Sequence, residues 1–368
     1  MTMRRFETFD VLRGVAALAV IFFHLGQLSL GKQIFPRGYL AVDLFFMLSG
    51  FVVGHSYESA LRAGMPWRTF AVKRLIRLYP LALLGAIVGL GVLVTKWHWY
   101  PLHVETLPNI LVSGLLNSFM LPTLFGGEAS RHVLFPGNPP LWSLFFEMVI
   151  NLSWAWAGVR MRTWTLTIFV IVSGGIMTLL AMHFQTLNMG FDVATFAGGL
   201  ARVCFGFPLG VLIFRLHGKF RLPASPLMPG LLVLVLCAVF ALPPVTQQPD
   251  SPVWDIAFVL MVLPAITAIA SGPSACGRIG EWLGLTSYPL YALHYPILVV
   301  MAGGAKFGLQ RLNVHVTSAI SISAVLLLAC AALYLYDEPL RRRLSRVSLR
   351  SGWLVSLPGK SGTVHLPR

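Results

Sequence analysis

The feature that most constrains this chain is a series of about ten apolar runs, each long enough to cross a lipid bilayer as a helix. A helix rises about 1.5 Å per residue, so about 20 apolar residues span roughly 30 Å of hydrocarbon. The chain is 56% hydrophobic and 11% charged, which is typical of a protein that lies mostly in lipid. The sequence therefore predicts an all-α, polytopic transmembrane bundle with spans at 7–29, 38–60, 78–97, 141–158, 164–184, 196–216, 229–243, 253–271, 286–306 and 314–335.

The positions of the basic residues predict how the spans are oriented. Cytosolic loops of membrane proteins carry an excess of Lys and Arg. With a cytosolic N-terminus, 20 of the 28 basic residues lie inside, 6 lie outside, and 2, Arg13 and Arg202, lie within spans. Both termini are therefore predicted to be cytosolic, and topology explains the net charge of +15 without nucleic-acid binding. We expect a membrane domain over 1–345 and a basic, mobile cytosolic tail over 346–368.

Two further features concern loops and cysteines. The longest connection, about 98–140, is rich in aromatic residues and prolines, which indicates an interfacial, partly re-entrant segment on the outside. A short helix over 109–121 is compatible with it. The four cysteines lack the spacing of metal ligands or redox pairs, so we interpret them as core residues and predict no metal site.

Ionisable side chains in the first two spans are the first functional candidates, because charges inside a bilayer are costly. Arg13 and His24 are eleven residues apart, which places them on one helix face about 16 Å apart. The second span returns from outside and brings Asp43 to the depth of His24. A carboxylate beside an imidazole fixes its tautomer and raises its basicity, so we expect the two to meet as a general base. The alternatives are that Arg13 extends to the inner membrane surface and that His24 makes a single buried hydrogen bond. Asp43 would then cap its helix or lie among the outer headgroups.

Later spans add polar groups at a similar depth. Ser143 and Glu147 are four residues apart and share a helix face, with Glu147 about 9 Å below the outer surface. Trp142 is either an interfacial anchor or a substrate contact. Tyr291 and His294 lie on one broad face of the ninth span, where a satisfied core histidine is the alternative.

A basic cluster stands at the cytosolic side, formed by Lys73, Arg74 and Arg77 at helical spacing. Such residues set topology or bind anionic lipid. The same geometry would hold a phosphate-bearing donor through charge-assisted hydrogen bonds. Arg202 in the sixth span indicates the same chemistry, and the alternative there is an ion pair with a carboxylate of another span.

Seven segments stand in a fixed order along the chain: FDVLRGVAALAVIFFH with Arg13 and His24, GYLAVDLFFMLSGFV with Asp43 and Ser49, KRLIRLYP, PPLWSLFFE, Arg202 before FGFPLG, SYPLYALHYP and DEPLRRR. Taken together, these segments resemble the acyltransferase-3 family of bacterial membrane O-acyltransferases over about residues 7–343. The chain departs from the family pattern at two places: Lys73 replaces the first of a usual arginine pair, and Asp337 precedes the usual Glu-x-Pro.

The resemblance implies an enzyme that moves an acyl group, expected to be acetyl, from cytosolic acyl-coenzyme A to a hydroxyl of a sugar or glycan. Acyl-coenzyme A is then a co-substrate, no cofactor is bound, and the location is the inner membrane of a bacterial cell. The catalytic candidates are His24 as the base, Asp43 and Glu147. The donor-binding candidates are Arg13, Lys73, Arg74, Arg77 and Arg202, and the substrate-binding candidates are Ser49, Trp142, Ser143, Tyr291 and His294.

Two other classes stay open at this point. In a proton-coupled transporter or flippase, buried Arg, His and Asp would form a proton relay, although no internal repeat supports that architecture. A non-catalytic membrane partner is the third class. The sequence leaves open the acyl group, the acceptor, the choice between an acyl-histidine intermediate and direct transfer, and the oligomeric state.

Overall fold

A computed structural model describes residues 6–28, 31–99, 105–125, 132–217, 227–243, 252–273, 276–307 and 313–350. A π-helical stretch, Phe258–Val262, lies within the helical segment Val253–Ala270, and a second, Leu333–Asp337, follows the helix Val314–Ala332. The helices are α1 (Glu7–Gln27), α2 (Ala41–Arg62), α3 (Trp67–Trp99), α4 (Leu107–Ser118), α5 (Leu141–Trp156), α6 (Thr163–Phe184), α7 (Phe196–Leu216), α8 (Met228–Ala241), α9 (Val253–Ala270), α10 (Gly277–Phe307), α11 (Val314–Ala332) and α12 (Glu338–Arg350).

The all-α, polytopic architecture is confirmed for the described part of the chain. Every predicted span coincides with a helix. Eight helical segments there are long and apolar enough to cross a membrane, and they comprise α1, Gly38–Arg62, α3, α6, α7, α9, the stretch Gly277–Gly303 and the stretch Val314–Ser348. Helices α8 and α5 are shorter, with 14 and 16 residues. At about 1.5 Å per residue, α5 is about 24 Å long, which is less than a full crossing.

Several helices extend beyond their predicted apolar runs. Helix α3 begins at Trp67 rather than near 78, so the basic cluster lies on the spanning helix itself. Hydropathy missed this extension because it registers only the apolar part of a helix. The short helix over 109–121 is observed as α4.

The predicted orientation and tail boundary are not tested by the helices. Residues 346–350 form the last turn of α12, and residues 351–368 lie outside the described residues. The cytosolic position of both termini stays a prediction. Some basic residues counted for topology also lie outside the described ranges, namely Arg4, Arg5, Arg131, Lys219, Arg221 and Arg311.

Two helix pairs form the centre of the bundle, with α1 packed along α10 and α2 packed along α7. In the second pair the two backbones touch at glycines. A Cβ atom on Gly50 would clash with the carbonyl oxygen of Phe207, and one on Gly210 would clash with that of Met47. Small residues allow such close approach between helices in a bilayer. This contact fixes which face of α2 meets α7.

Replacing Gly50 with alanine should therefore destabilise the bundle by about 1–3 kcal/mol, because no side-chain rotation relieves a clash with a backbone carbonyl. The matched control is Gly175→Ala in α6, where an added Cβ meets nothing within 4 Å. Thermal unfolding of the detergent-solubilised variants should show a lower midpoint for Gly50→Ala alone. Equal midpoints for the two variants would mean that α2 and α7 do not touch at Gly50.

Candidate active site

Among the cavities of the described residues, two meet at the side chain of Tyr291, which lines both. The histidine cavity, about 840 Å³, is lined by His24 and Gln27 near the end of α1 and by Trp142 at the start of α5. The arginine cavity, about 180 Å³, is lined by Arg13 near the start of α1. Helix α1 thus contributes one ionisable residue to each cavity. The eleven-residue spacing predicted that the two residues share a helix face, but it did not predict two cavities.

The arginine cavity is strongly basic. Among its described lining residues five are basic and one, Glu147, is a carboxylate. Arg74 donates to Glu147 at 2.8 Å, and Ser49 donates to the same carboxylate oxygen at 2.6 Å. The predicted basic residues are therefore brought together, with one addition from α12. The five basic residues are Arg13, Lys73, Arg74, Arg77 and Arg341.

Glu147 is not where the sequence interpretation placed it. It was expected at the depth of His24, beside the acceptor, but it lines the arginine cavity and pairs with Arg74. The reason is the direction of α5, which begins at Leu141 beside the histidine cavity and carries Ser143 and Glu147 into the arginine cavity one turn apart. Sequence spacing gave the shared face but not the cavity that this face meets.

The imidazole of His24 is oriented by a residue on its own helix. Its Nδ1 lies 2.9 Å from Oε1 of Gln27. Because an amide oxygen only accepts, Nδ1 carries the proton in this arrangement and Nε2 keeps its lone pair. A hydrogen bond to one ring nitrogen in this way leaves the other available as a base.

His294 lies behind His24, with ring centroids 5.2 Å apart. Its Nδ1 lies 3.0 Å from the carbonyl oxygen of Leu290 and 2.9 Å from that of Tyr291, so this nitrogen is a donor. Its Nε2 is buried and has no hydrogen-bond partner among the residues that the structure describes. His294 is 0% exposed and is not among the described residues that line the histidine cavity, so its predicted role in substrate binding stays a prediction.

The predicted contact between His24 and Asp43 is wrong. Both carboxylate oxygens of Asp43 accept from Arg202, at 3.0 Å from Nε and 2.8 Å from Nη2. Arg202 also donates to the carbonyl oxygens of Met189 at 2.9 Å and Tyr39 at 3.1 Å. The pair is fully buried, with side-chain exposures of 0% for Arg202 and 1% for Asp43.

The glycine contact between α2 and α7 explains this pairing, because it turns the first turn of α2 toward Arg202. The ion pair was the alternative noted for Arg202, and it is what the structure shows. Arg202 lines the histidine cavity, where its guanidinium lies 5.2 Å from the ring centre of Trp142. It is therefore not among the residues of the arginine cavity, where a donor-binding role was expected.

Sequence reasoning missed three kinds of residue. Arg341 completes the basic cavity and pairs with Asp337 at 3.0 Å, and the i, i+4 spacing inside DEPLRRR was its signal. For Gln27 the signal was its position three residues after His24, which places the two side chains on one helix face. In a third case, a buried cluster, Asp255 accepts hydrogen bonds from Arg37 and Tyr39. No sequence signal pointed to this cluster, because Arg37 was interpreted only as a basic residue of an outside loop.

No group of three His, Cys, Asp or Glu side chains within the described ranges is arranged to hold a metal ion. The arrangement can instead bind an anion in one cavity and place an imidazole base in the other. Tyr291 and Ser143 lie where the two cavities meet.

Comparison with known proteins identifies the family. A family model described as "Acyltransferase domain" matches residues 6–336. The chain is 35% identical over 193 residues to "Protein 2 in picA locus" of Rhizobium radiobacter, covering 48% of this chain and 94% of the relative. It is 27% identical over 317 residues to the exopolysaccharide production protein ExoZ of Rhizobium meliloti (strain 1021), covering 84% of this chain and 91% of the relative.

A third relative is the putative peptidoglycan O-acetyltransferase YrhL of Bacillus subtilis (strain 168). It is 24% identical over 359 residues, which are 90% of this chain and 54% of that protein. No solved structure is significantly similar to the chain. The family match covers nearly all the membrane helices described above, and the chain therefore belongs to the acyltransferase-3 family of integral membrane acyltransferases.

Proposed function

We propose that this acyltransferase binds acyl-coenzyme A in the arginine cavity and transfers the acyl group to a hydroxyl of a carbohydrate in the histidine cavity. The observation that carries the proposal is the meeting of a basic cavity and a histidine-bearing cavity at one side chain, Tyr291. The charge distribution of the loops would place the arginine cavity at the cytosolic side of a bacterial inner membrane, where acyl-coenzyme A is available.

The uncompensated charge of the arginine cavity supports a polyanionic donor. Five basic side chains and one carboxylate line this cavity. Asp337, which is not among the described lining residues, pairs with Arg341. The phosphates of coenzyme A would supply the missing negative charge, and arginine binds phosphate through two parallel hydrogen bonds. In this proposal Glu147 orients Arg74 rather than touching the acceptor.

The lining of the histidine cavity suits a sugar. It combines aromatic faces, such as Trp142 and Tyr295, with polar groups, such as Asn109 and Asp192, in about 840 Å³. Binding pockets commonly mix apolar surface with a few polar groups that fix orientation. The names of two relatives, an exopolysaccharide production protein and a putative peptidoglycan O-acetyltransferase, support a glycan acceptor and an acetyl group.

In the proposed reaction His24 is the general base. Its Nε2 removes the proton of the acceptor hydroxyl as the oxygen attacks the thioester carbonyl carbon. The carbon–sulfur bond then breaks, and the thiolate takes the proton from His24. Gln27 holds the imidazole in the tautomer with a free Nε2, the role first assigned to Asp43.

The function is tested with purified protein in lipid nanodiscs, acetyl-coenzyme A labelled in the acetyl group, and bacterial exopolysaccharide freed of esters by mild alkali. Thiol release and alkali-labile label in the polysaccharide should rise together and only when both substrates are present. Thiol release without label in any of several de-esterified glycans, peptidoglycan included, would exclude carbohydrate transfer. No thiol release at all would exclude a coenzyme A thioester donor.

Replacing Arg77 with glutamine should raise KM for acetyl-coenzyme A about tenfold and change kcat little, because a charge-assisted hydrogen bond to a phosphate contributes about 1.5–3 kcal/mol of uniform binding. The matched control is Arg68→Gln, an exposed arginine on the same helix. An unchanged KM in a well-expressed Arg77→Gln protein would reduce Arg77 to a topology or lipid-binding residue.

A further inference from the structure

The hydroxyl of Tyr291 is fastened at the junction of the two cavities. Its oxygen lies 2.6 Å from Oγ of Ser143 and 3.1 Å from the carbonyl oxygen of Pro140. Ser143 lines the arginine cavity, whereas Pro140 lines the histidine cavity. The hydrogen bonds of Tyr291 therefore join α10 to the start of α5 across the boundary.

These three oxygens form a closed set of hydrogen bonds. Ser143 Oγ is also 3.2 Å from the Pro140 carbonyl oxygen, which only accepts. Whichever hydroxyl donates to that carbonyl, the other hydroxyl donates to its partner, so both protons are used inside the set. The hydroxyls then have no free proton for a substrate until the set opens. We call this set the Tyr291 latch.

The ring of Tyr291 is held as well as its hydroxyl. It is 5% exposed and packs edge-to-face against Phe45, a residue of the arginine cavity, with ring centroids 5.4 Å apart. An aromatic ring fixed at one end by packing and at the other by hydrogen bonds is a rigid wall. Arg13 lines one cavity and His24 lines the other, and Tyr291 lies between them. An acyl group that moves from the first cavity to the second must therefore pass this ring.

We propose that the Tyr291 latch is the partition between donor and acceptor cavities and that it limits the length of the acyl group that this enzyme transfers. The inference rests on the proposed function, since it takes the thioester to lie in the arginine cavity and the base in the histidine cavity. The arginine cavity is only about 180 Å³, so an acyl chain that does not fit beside the donor must displace the ring of Tyr291.

The partition has a second consequence, which concerns water. The large histidine cavity admits water, and water can replace the acceptor hydroxyl. Its oxygen would attack the thioester carbonyl carbon, the carbon–sulfur bond would break, and a carboxylic acid and free thiol would form, with the water proton passing through His24 to the thiolate. A closed latch keeps this hydrolysis slow when no acceptor is bound.

Three variants distinguish the role of the Tyr291 hydroxyl from that of the Tyr291 ring. Tyr291→Phe removes both hydrogen bonds of the tyrosine and Ser143→Ala removes one of them, and both variants keep the ring. Tyr291→Leu removes the ring but keeps apolar packing against Phe45. The control is Tyr334→Leu, a tyrosine that is 51% exposed on the π-helical stretch after α11. Each protein is given acetyl-, butyryl- and hexanoyl-coenzyme A, with and without de-esterified exopolysaccharide.

We expect the wild type to prefer acetyl over hexanoyl by at least about tenfold, the discrimination that a tight pocket achieves against extra methylenes. Tyr291→Leu should reduce this preference to about twofold. Tyr291→Phe and Ser143→Ala should keep the preference but raise acceptor-independent thiol release several-fold relative to transfer. Tyr334→Leu should match the wild type in both respects.

An unchanged chain-length profile in a Tyr291→Leu protein that binds coenzyme A would overturn the partition while leaving the proposed function intact. Unchanged hydrolysis in both latch variants would likewise remove the latch. If Tyr291→Leu fails to fold, Tyr291→Met replaces it, because methionine also removes the ring and introduces a flexible apolar side chain. Its chain-length profile is then compared with that of the wild type. A wild-type protein that releases no thiol from acetyl-coenzyme A would instead contradict the proposed function itself.

Discussion

Replacing His24 with alanine is expected to lower acyl transfer by about 10²–10⁴-fold, the contribution of a positioned general base, while the protein still inserts and binds its donor. The expectation follows from the geometry at the end of α1, where Gln27 occupies Nδ1 of His24, a residue that lines the histidine cavity. The arginine cavity, which we expect to hold the donor, lies at the other end of the helix and is not changed by the substitution.

The measurement is single-turnover transfer of labelled acetyl together with equilibrium binding of coenzyme A. His183→Ala is the matched control, since His183 is an exposed histidine at the end of α6. The expected pattern is a loss of transfer with an unchanged dissociation constant in His24→Ala, and no change in the control. A well-expressed His24→Ala protein with full transfer activity would exclude His24 as the base and require another residue to take the acceptor proton.

The second large effect concerns stability. Replacing Asp43 with asparagine should cost about 3–5 kcal/mol, because it leaves the guanidinium of Arg202 buried without its counter-charge. Removing both charges together, in Asp43→Leu with Arg202→Met, should recover much of the loss, since apolar side chains of similar volume often replace a buried ion pair without penalty. Folded yield and thermal unfolding in detergent measure both effects.

An exposed ion pair is the control for this experiment. Arg342 pairs with Glu338 on α12 with side-chain exposures of 63% and 35%, so Arg342→Gln should change stability by less than about 1 kcal/mol. The folded fraction of Asp43→Asn should keep its turnover per molecule, because Asp43 does not contact His24. A stable Asp43→Asn protein with lost turnover would show that Asp43 acts on the chemistry after all.

Features that depend on one helix were predictable from sequence. Helical periodicity placed Arg13 and His24 on the same face, and the structure gives each of them to a different cavity along α1. The same reasoning grouped Lys73, Arg74 and Arg77, which do line one cavity together. In each case the relevant distance is set by rise and rotation per residue, which the sequence contains.

Features that depend on which helices are neighbours were not predictable in this way. Depth in the bilayer made Asp43 a plausible partner for His24, but the close glycine contacts between α2 and α7 decide that it meets Arg202. The predicted position of Glu147 was wrong for the same reason, because its helix carries it into the arginine cavity rather than the histidine cavity. Pairing of spans is a tertiary property, and one sequence read span by span does not contain it.

Passage of an acyl group from the arginine cavity to the histidine cavity can be measured directly in proteoliposomes. Acetyl-labelled coenzyme A, which does not cross lipid, is added outside, and de-esterified exopolysaccharide is enclosed inside, with His24→Ala as the blank. We expect alkali-labile label on the enclosed polysaccharide and a matching amount of free thiol outside. Label that appears only on polysaccharide placed on the same side as the donor would contradict transfer between the two cavities.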